Sequence, residues 1–333
     1  MIKILIGSSP CTYWSVAQKK GREVEAEGLG WELFRNYLIA KEKFKPDFFL
    51  YENNKSAAQP IKDQISHELG VDLMHINSAL VSAQNRQRFY AFNWNVDQPA
   101  DRGIMLKDIL ETATSEKGYE LRAPAVGVGC RNRREDDGKL YRRFETSGIE
   151  KANALTTVQT DSMVAEPIRI GTIENSAKKR GRDDGSAYEV RTDGKANALT
   201  ASGHQSRLVV TNQNGEDLPV YEVVNGEIEI KGKKYPIKLP DGYYVIRKLT
   251  PTECERLQTL PDGYTSAVSA TQRYRGLGNG WTAEVIIHIL TGTHRGFACH
   301  DLADKFLLAL HKLVKVGIEG ALGDIAVNVH LRI

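Results

Sequence analysis

Apolar and polar positions alternate in two different rhythms along the first hundred residues. Ile2–Ile6 is an apolar run cut off by Gly7-Ser8-Ser9, and Phe48-Phe49-Leu50-Tyr51 is a second. Short runs of this kind, bounded by Gly and Ser, read as buried strands. Between them Trp31–Phe44 places its apolar residues at helical spacing, and Lys45-Pro46 stops it. A further helix is expected around Ala57–Leu69 and a short strand over Asp72–Ile76. Leu80–Phe92 then carries Gln84, Arg86 and Arg88 on alternate residues. If this segment is a strand, its period of two aims all three side chains at one face. The order strand, helix, strand, helix, strand predicts parallel pairing with right-handed crossovers, and so an α/β fold.

The pattern changes from about Tyr119 to Tyr244, where Gly, Arg, Asp and Asn separate short β-prone runs. A mostly-β domain built of hairpins is expected there, with turns at Asn225-Gly226, Lys231-Gly232 and Asp241-Gly242. An internal repeat, Glu150-Lys-Ala-Asn-Ala-Leu-Thr156 and Gly194-Lys-Ala-Asn-Ala-Leu-Thr200, reads as a duplicated hairpin unit, since two copies are too few for a solenoid. Helical spacing returns at Thr250, a candidate N-cap with Pro251 at the first helical position and Glu253 completing a capping box. Ala283–Leu290 is an apolar helix, and Ala298–Val316 has helical spacing through Leu302, Phe306, Leu307, Leu310, Leu313 and Val314.

Charge and composition narrow the chemistry only a little. A net charge of +3 permits nucleic-acid binding without demanding it. The basic clusters Arg131-Asn-Arg133-Arg134, Arg142-Arg143 and Lys178-Lys-Arg180-Gly-Arg182 suit phosphates or guanines, although neighbouring Asp and Glu residues make a solvated surface an equal reading. The four cysteines, Cys11, Cys130, Cys254 and Cys299, have no metal-ligand spacing, so no metal site is expected. Scattered thiols, no membrane-length apolar run and a strand at the very start suit a cytoplasmic protein without a membrane partner. Residues just past a strand lie at the carboxyl edge of the sheet, where open α/β sheets bind ligands. Pro10-Cys11 falls there, and so does Glu52-Asn53 after the second run. A single cysteine is more often an inert small hydrophobe. A thiol, a carboxyl and two guanidinium groups above one sheet edge suit covalent attack on an electron-poor ring, with the acid serving a ring nitrogen and an Arg an exocyclic oxygen.

These residues resemble the motifs of the DNA (cytosine-5) methyltransferases of phages and restriction-modification systems. Gly7-Ser-Ser-Pro-Cys11 is similar to the nucleophile motif. Glu52-Asn53 is similar to the Glu-Asn motif, with Asn54 where the family has Val. Gln84-x-Arg86-x-Arg88 resembles the Gln-x-Arg-x-Arg motif. Arg247–Asp262 resembles the motif that closes the target-recognition region, and Gly276-Leu-Gly278-Asn279-Gly280 the last motif, which packs against the cofactor pocket. The resemblance implies a Rossmann-like methyltransferase sheet with an inserted mostly-β target-recognition domain. It divides the chain into a catalytic segment (1–118), the recognition domain (119–245), a catalytic return segment (246–292) and a C-terminal helical extension (293–333). It implies double-stranded DNA as partner and S-adenosyl-L-methionine as methyl donor. It assigns Cys11, Glu52 and Arg88 to catalysis, Pro10, Asn53, Gln84 and Arg86 to the substrate, and Pro10, Asn279, Gly280 and Trp281 to the cofactor. It also implies that the loop Val16–Gly30 closes over an extruded base, and that nearby Arg residues lower the Cys11 pKa.

The family's Phe-x-Gly-x-Gly turn, which cradles the methionine moiety, does not precede Met1, and Gly317–Gly323 near the other end lacks its pattern. The sheet is therefore expected to be truncated at its N-terminal side, with the cofactor motif on a complementing polypeptide or lost. Three readings stay open: a methyltransferase acting alone or with such a fragment, a DNA-binding and base-extruding remnant, and an RNA cytosine methyltransferase.

Overall fold

The alternation of the first apolar run is explained by two-sided burial. In a computed structural model that describes residues 3–16, 21–111, 125–134, 140–157, 162–168, 172–174, 187–189, 210–211 and 217–292, Ile4 and Ile6 of strand β1 (Ile4–Ser8) face one cluster of apolar residues and Leu5 the other. The chain divides into two units, Met1–Ile104 with Glu255–Ile333, and Met105–Cys254.

In the first unit, β1 is followed by helix α1 (Gly28–Phe44), strand β2 (Phe48–Asn54), helix α2 (Gln59–Leu69), and strands β3 (Leu73–Asn77) and β4 (Gln87–Phe92). Lys45 ends α1 in the left-handed conformation (φ 47°), one residue before Pro46. The strand order is β1-β2-β4-β3. β1 and β2 pair in parallel, as the helical crossover between them predicts. β3 does not join them in parallel pairing as expected: β4 lies antiparallel between β2 and β3. The reason is the connection. A parallel return needs a crossover of about a dozen residues or more, whereas Asn77 is joined to Gln87 by a 3-10 turn (Ser78–Leu80) and the extended pair Gln84–Asn85. Leu80–Phe92 is thus not one strand. It breaks at Arg86, whose N–H donates to the Gln84 carbonyl (3.1 Å) and whose carbonyl accepts from Ser78 (2.9 Å).

The second unit is built on antiparallel strands β5 (Val126–Arg134), β6 (Leu140–Ile149), β7 (Met163–Ile168), β8 (Val220–Val224), β9 (Glu227–Ile230), β10 (Lys233–Pro236) and β11 (Gly242–Lys248), in the order β10-β9-β8-β11-β7-β5-β6. Val128, Phe144, Ala165, Val223, Ile228, Tyr244 and Ile246 form its apolar core. Asn225-Gly226 and Lys231-Gly232 make two-residue turns with positive φ at both positions, linking β8 to β9 and β9 to β10 as expected. Asp241-Gly242 is not a hairpin turn. The segment before it buries Ile237 and Leu239, and β11 pairs with β8 and β7 instead of β10.

Helix α3 (Pro251–Leu257) follows, then α4 (Ala270–Asn279) and α5 (Ala283–Thr291). The first unit is layered. α1 and α2 bring Phe34, Tyr37, Ile61 and Ile65 against Leu5, Phe49, Tyr51 and Phe89 on one face of the sheet. α5 brings Val285, Ile286 and Ile289 against Ile4, Ile6, Leu50, Tyr90 and Phe92 on the other. Each such fully buried large side chain contributes about 1.5–3 kcal/mol. The late apolar helix is therefore the lid of a core begun by the first strands. The second repeat copy, Lys178–Arg182, residues 17–20 of the loop after Cys11, Cys299 and the whole of 293–333 lie outside the described residues.

Candidate active site

β1 and β2 run in parallel and end side by side, Ser8 opposite Glu52. This register brings the segment after β1 to the acid at the end of β2. Pro10 (φ −53°, ψ 123°) turns the chain into a 3-10 turn, Cys11–Tyr13, closed by N–H groups of Trp14 and Ser15 on the Cys11 carbonyl (3.2 and 3.0 Å). Cys11 is half-buried. The turn is anchored from below. Asn53, 1% exposed, donates from Nδ2 to the Ser9 carbonyl (3.0 Å), Ser9 Oγ (3.1 Å) and the Tyr51 hydroxyl (3.0 Å), and Ser9 Oγ lies 2.7 Å from that hydroxyl. Burial pushes the Tyr51 hydroxyl well above its usual pKa, so it remains a neutral hydrogen-bonding group. Tyr51 and Ser9 belong to this support, and nothing in the strand pattern marked them beyond their place next to Glu52 and Pro10.

Glu52 is 7% exposed and both of its carboxylate oxygens are engaged. Oε1 accepts from Arg88 Nε (2.9 Å) and Oε2 from the Trp281 indole N–H (3.0 Å). Arg88 also donates to the Gln87 carbonyl (2.9 Å). The charges of Arg88, Glu52 and Arg86 all act on the Cys11 thiol. The structure thus brings Cys11, Glu52 and Arg88 together, with Trp281 on the acid. The expected lowering of the Cys11 pKa is not what this arrangement produces. Desolvation by burial outweighs the pull of Arg88 and Arg86, Glu52 adds to it, and the thiol is pushed above its ordinary value.

Gln84 and Arg86 are more deeply buried than Arg88. Gln84 is 0% exposed and donates to the Leu257 carbonyl (3.1 Å). Arg86 is 4% exposed and donates from Nη2 to the Gly280 (2.9 Å) and Gly278 (3.3 Å) carbonyls. These two side chains tie the strand to the return segment: a buried guanidinium must be hydrogen-bonded, and Arg86 Nη2 finds two carbonyls at the end of α4. Burial and the charge of Arg88 bring the Arg86 pKa down to about 10. Gln258, also fully buried, joins this tie through the Leu277 carbonyl (2.6 Å) and Thr282 Oγ1 (3.0 Å). It stands in the Arg247–Asp262 stretch, whose resemblance to a family motif assigns this amide no role.

Of the residues expected at a methyl donor, Pro10 and Trp281 are half-buried and Asn279 is exposed at the end of α4, while the Gly280 carbonyl is taken by Arg86. Among the described residues, no group of His, Cys, Asp or Glu could hold a metal ion, and no helix is long and apolar enough to cross a membrane.

The first unit is thus a layered α/β unit whose two parallel strands lead to Cys11 and Glu52, with the Arg88 guanidinium of the antiparallel β4 on the acid. Comparison with known sequences gives the family. The profile described as C-5 cytosine-specific DNA methylase matches residues 1–294. The chain is 24% identical to the type II methyltransferase M.Sau3AI of Staphylococcus aureus over 317 residues, covering 86% of this chain and 76% of that protein. It is 24% identical to the orphan methyltransferase M.SPRI of Bacillus phage SPR, covering 85% and 80%. It is 25% identical to the type II methyltransferase M.HpaII of Haemophilus parainfluenzae, covering 83% and 67%. The chain belongs to the C-5 cytosine-specific DNA methylase family, whose enzymes are DNA cytosine-5 methyltransferases.

Proposed function

We propose that this chain methylates carbon 5 of cytosine in double-stranded DNA through a covalent adduct at Cys11, with S-adenosyl-L-methionine as donor. The gathering of Cys11, Glu52 and Arg88 at the end of β1 and β2 carries this reading. A cytosine stacked in a duplex cannot reach such an edge, so the base is extruded, at a cost of about a few kcal/mol. The Cys11 thiolate then adds to carbon 6, and the ring electrons move toward carbon 5. Glu52 protonates or hydrogen-bonds ring nitrogen 3, so that the electron pair gathers at carbon 5. Arg88, held on Glu52 in the base-free site, is the donor for the exocyclic oxygen. Asn53, Tyr51 and Ser9 keep the turn of Cys11 from moving. The donor, when bound, supplies an electrophilic methyl carbon, and Pro10, Asn279, Gly280 and Trp281 are the residues of this chain that would hold it. Carbon 5 would take that methyl group, the spent donor leaving as a thioether; a base, water in this reading, then takes the carbon-5 proton as the Cys11 thiolate departs from carbon 6, which restores the ring.

The second unit is the proposed target-recognition domain. Its strand pairing sets Arg131 opposite Arg143 and Asn132 opposite Arg142, with Arg142 and Arg143 exposed. Concentrated positive charge on one hairpin suits a phosphate backbone.

The direct test is methyl transfer to DNA by the purified chain, alone and with a fragment carrying a Phe-x-Gly-x-Gly turn. Cys11→Ser is expected to abolish transfer while DNA binding, measured by mobility shift, stays within about threefold, because the hydroxyl is the weaker nucleophile at nearly the same size. Methylation by Cys11→Ser at the parent rate overturns the assignment.

A further inference from the structure

The turn that carries Cys11 runs directly into Trp14, whose side chain is 0% exposed among Phe34, Tyr37, Phe49 and Tyr51. A buried indole N–H needs an acceptor. Glu23 supplies it: Trp14 Nε1 donates to Glu23 Oε2 (2.9 Å). The second oxygen, Oε1, accepts the N–H of Gly30 in the first turn of α1 (2.9 Å), and the Glu23 amide donates to the Tyr13 carbonyl (2.9 Å). Beside it, Arg22 donates to the Ser56 carbonyl (2.6 Å) and the Trp14 carbonyl (3.3 Å). One carboxylate therefore joins the end of the nucleophile turn to the start of the helix packed beneath the sheet.

The local sequence is cut to this carboxylate. Glu27, which precedes α1, makes no side-chain cap, so Glu23 caps the helix from upstream, where a negative charge also meets the positive end of the helix dipole. A Cβ on Gly30 would lie 2.5 Å from Glu23 Oε2 and 2.6 Å from the Trp14 indole nitrogen. Gly28 has φ 83°, and a Cβ there would lie 2.6 Å from Glu23 Oε1. Any larger side chain at either position drives the carboxylate out.

We infer that Glu23 is a positioning residue for Cys11: acting through Trp14, it holds the turn Cys11–Tyr13 so that the thiol stays beside Glu52 and Arg88. Glu23 itself touches no reacting atom. The inference rests on the reading of Cys11 as nucleophile, and its test separates the two. Glu23→Gln, Trp14→Phe and the double variant are made in the full chain. A Gln side chain offers one acceptor oxygen and so cannot serve both the indole and Gly30 N–H groups. Each single variant is expected to lower kcat for DNA methylation about tenfold, the worth of one charge-assisted hydrogen bond, with KM for DNA within about twofold. The rate at which iodoacetamide alkylates Cys11, followed on its own peptide by mass spectrometry, is expected to change in both. The double variant is expected to be no worse than the poorer single one, because both cut the same link. The inference is overturned if kcat and Cys11 alkylation stay within twofold in the single variants, if the losses multiply in the double variant, or if they vanish once corrected for the folded fraction in urea titrations. A parent chain whose methylation survives Cys11→Ser defeats the nucleophile assignment instead, and leaves the alkylation and coupling measurements to decide the role of Glu23.

Discussion

At Cys11 two kinds of physics oppose each other. Burial disfavours the thiolate and Glu52 adds to this, while Arg88 and Arg86 favour it, and the balance falls on the raised side. The sign of each contribution predicts the pH profile of Cys11 alkylation, since only the thiolate reacts. Removing the negative charge with Glu52→Gln takes away a raising influence, so the midpoint is expected to move to lower pH. Removing the positive charge with Arg88→Ala takes away a lowering influence, so it is expected to move to higher pH. A shift of either variant in the opposite direction rules out this electrostatic arrangement. Spacing alone brought Cys11, Glu52 and Arg88 to notice but could not weigh burial against charge, which is why the sign expected for Cys11 was wrong. It also could not say that Gln84 and Arg86, on the same period-two face as Arg88, would be covered by the return segment.

Elements were legible wherever the pattern was local. Thr250 and Glu253 form the capping box read from their spacing: Glu253 N–H donates to Thr250 Oγ1 (3.1 Å), and Thr250 N–H to Glu253 Oε2 (2.8 Å). Thr250→Ala is expected to cost about 1 kcal/mol, read from the shift of the urea midpoint, and Thr250→Ser to recover most of it. Glu253 does more than cap. It is 0% exposed and takes both Nη atoms of Arg247 at 2.8 Å, while Arg247 Nε reaches Glu166 at 2.7 Å. Glu253→Ala removes both carboxylate contacts of the Arg247 Nη atoms and leaves Glu166 on that guanidinium, and is expected to cost about 2 kcal/mol by the same measurement, more than the loss of the cap alone. The strand over Leu80–Phe92 was less legible. Its alternation survives the break at Arg86 in the burial of Gln84, Arg86 and, in part, Arg88, so periodicity could not reveal the break. The antiparallel course of β4 followed from the short link after β3, a constraint of chain length and not of composition.

For the molecule as a whole, the second unit carries the proposed recognition surface, and its prediction concerns salt. Arg142→Ala and Arg143→Ala are each expected to weaken binding to double-stranded DNA and to reduce the slope of log K against log salt by about 1, as for a lost phosphate contact. Unchanged slopes in both would remove the β5–β6 hairpin from the interface. The amino-acid sequence by itself determined the first two strands, the helices before and after Phe48–Tyr51 and the late apolar helix of the first unit, where the hairpin turns at Asn225 and Lys231 fall, and which thiol and acid follow the first two strands, because each of these depends on neighbours a few residues away. Only the tertiary structure decided that α5 closes the face of Ile4 and Ile6, that Trp281 and Arg88 share the two oxygens of Glu52, and that Glu23 joins Trp14 to α1. Those pairings join residues far apart in the chain, and their partners are chosen by burial and hydrogen-bond satisfaction, which no local pattern encodes.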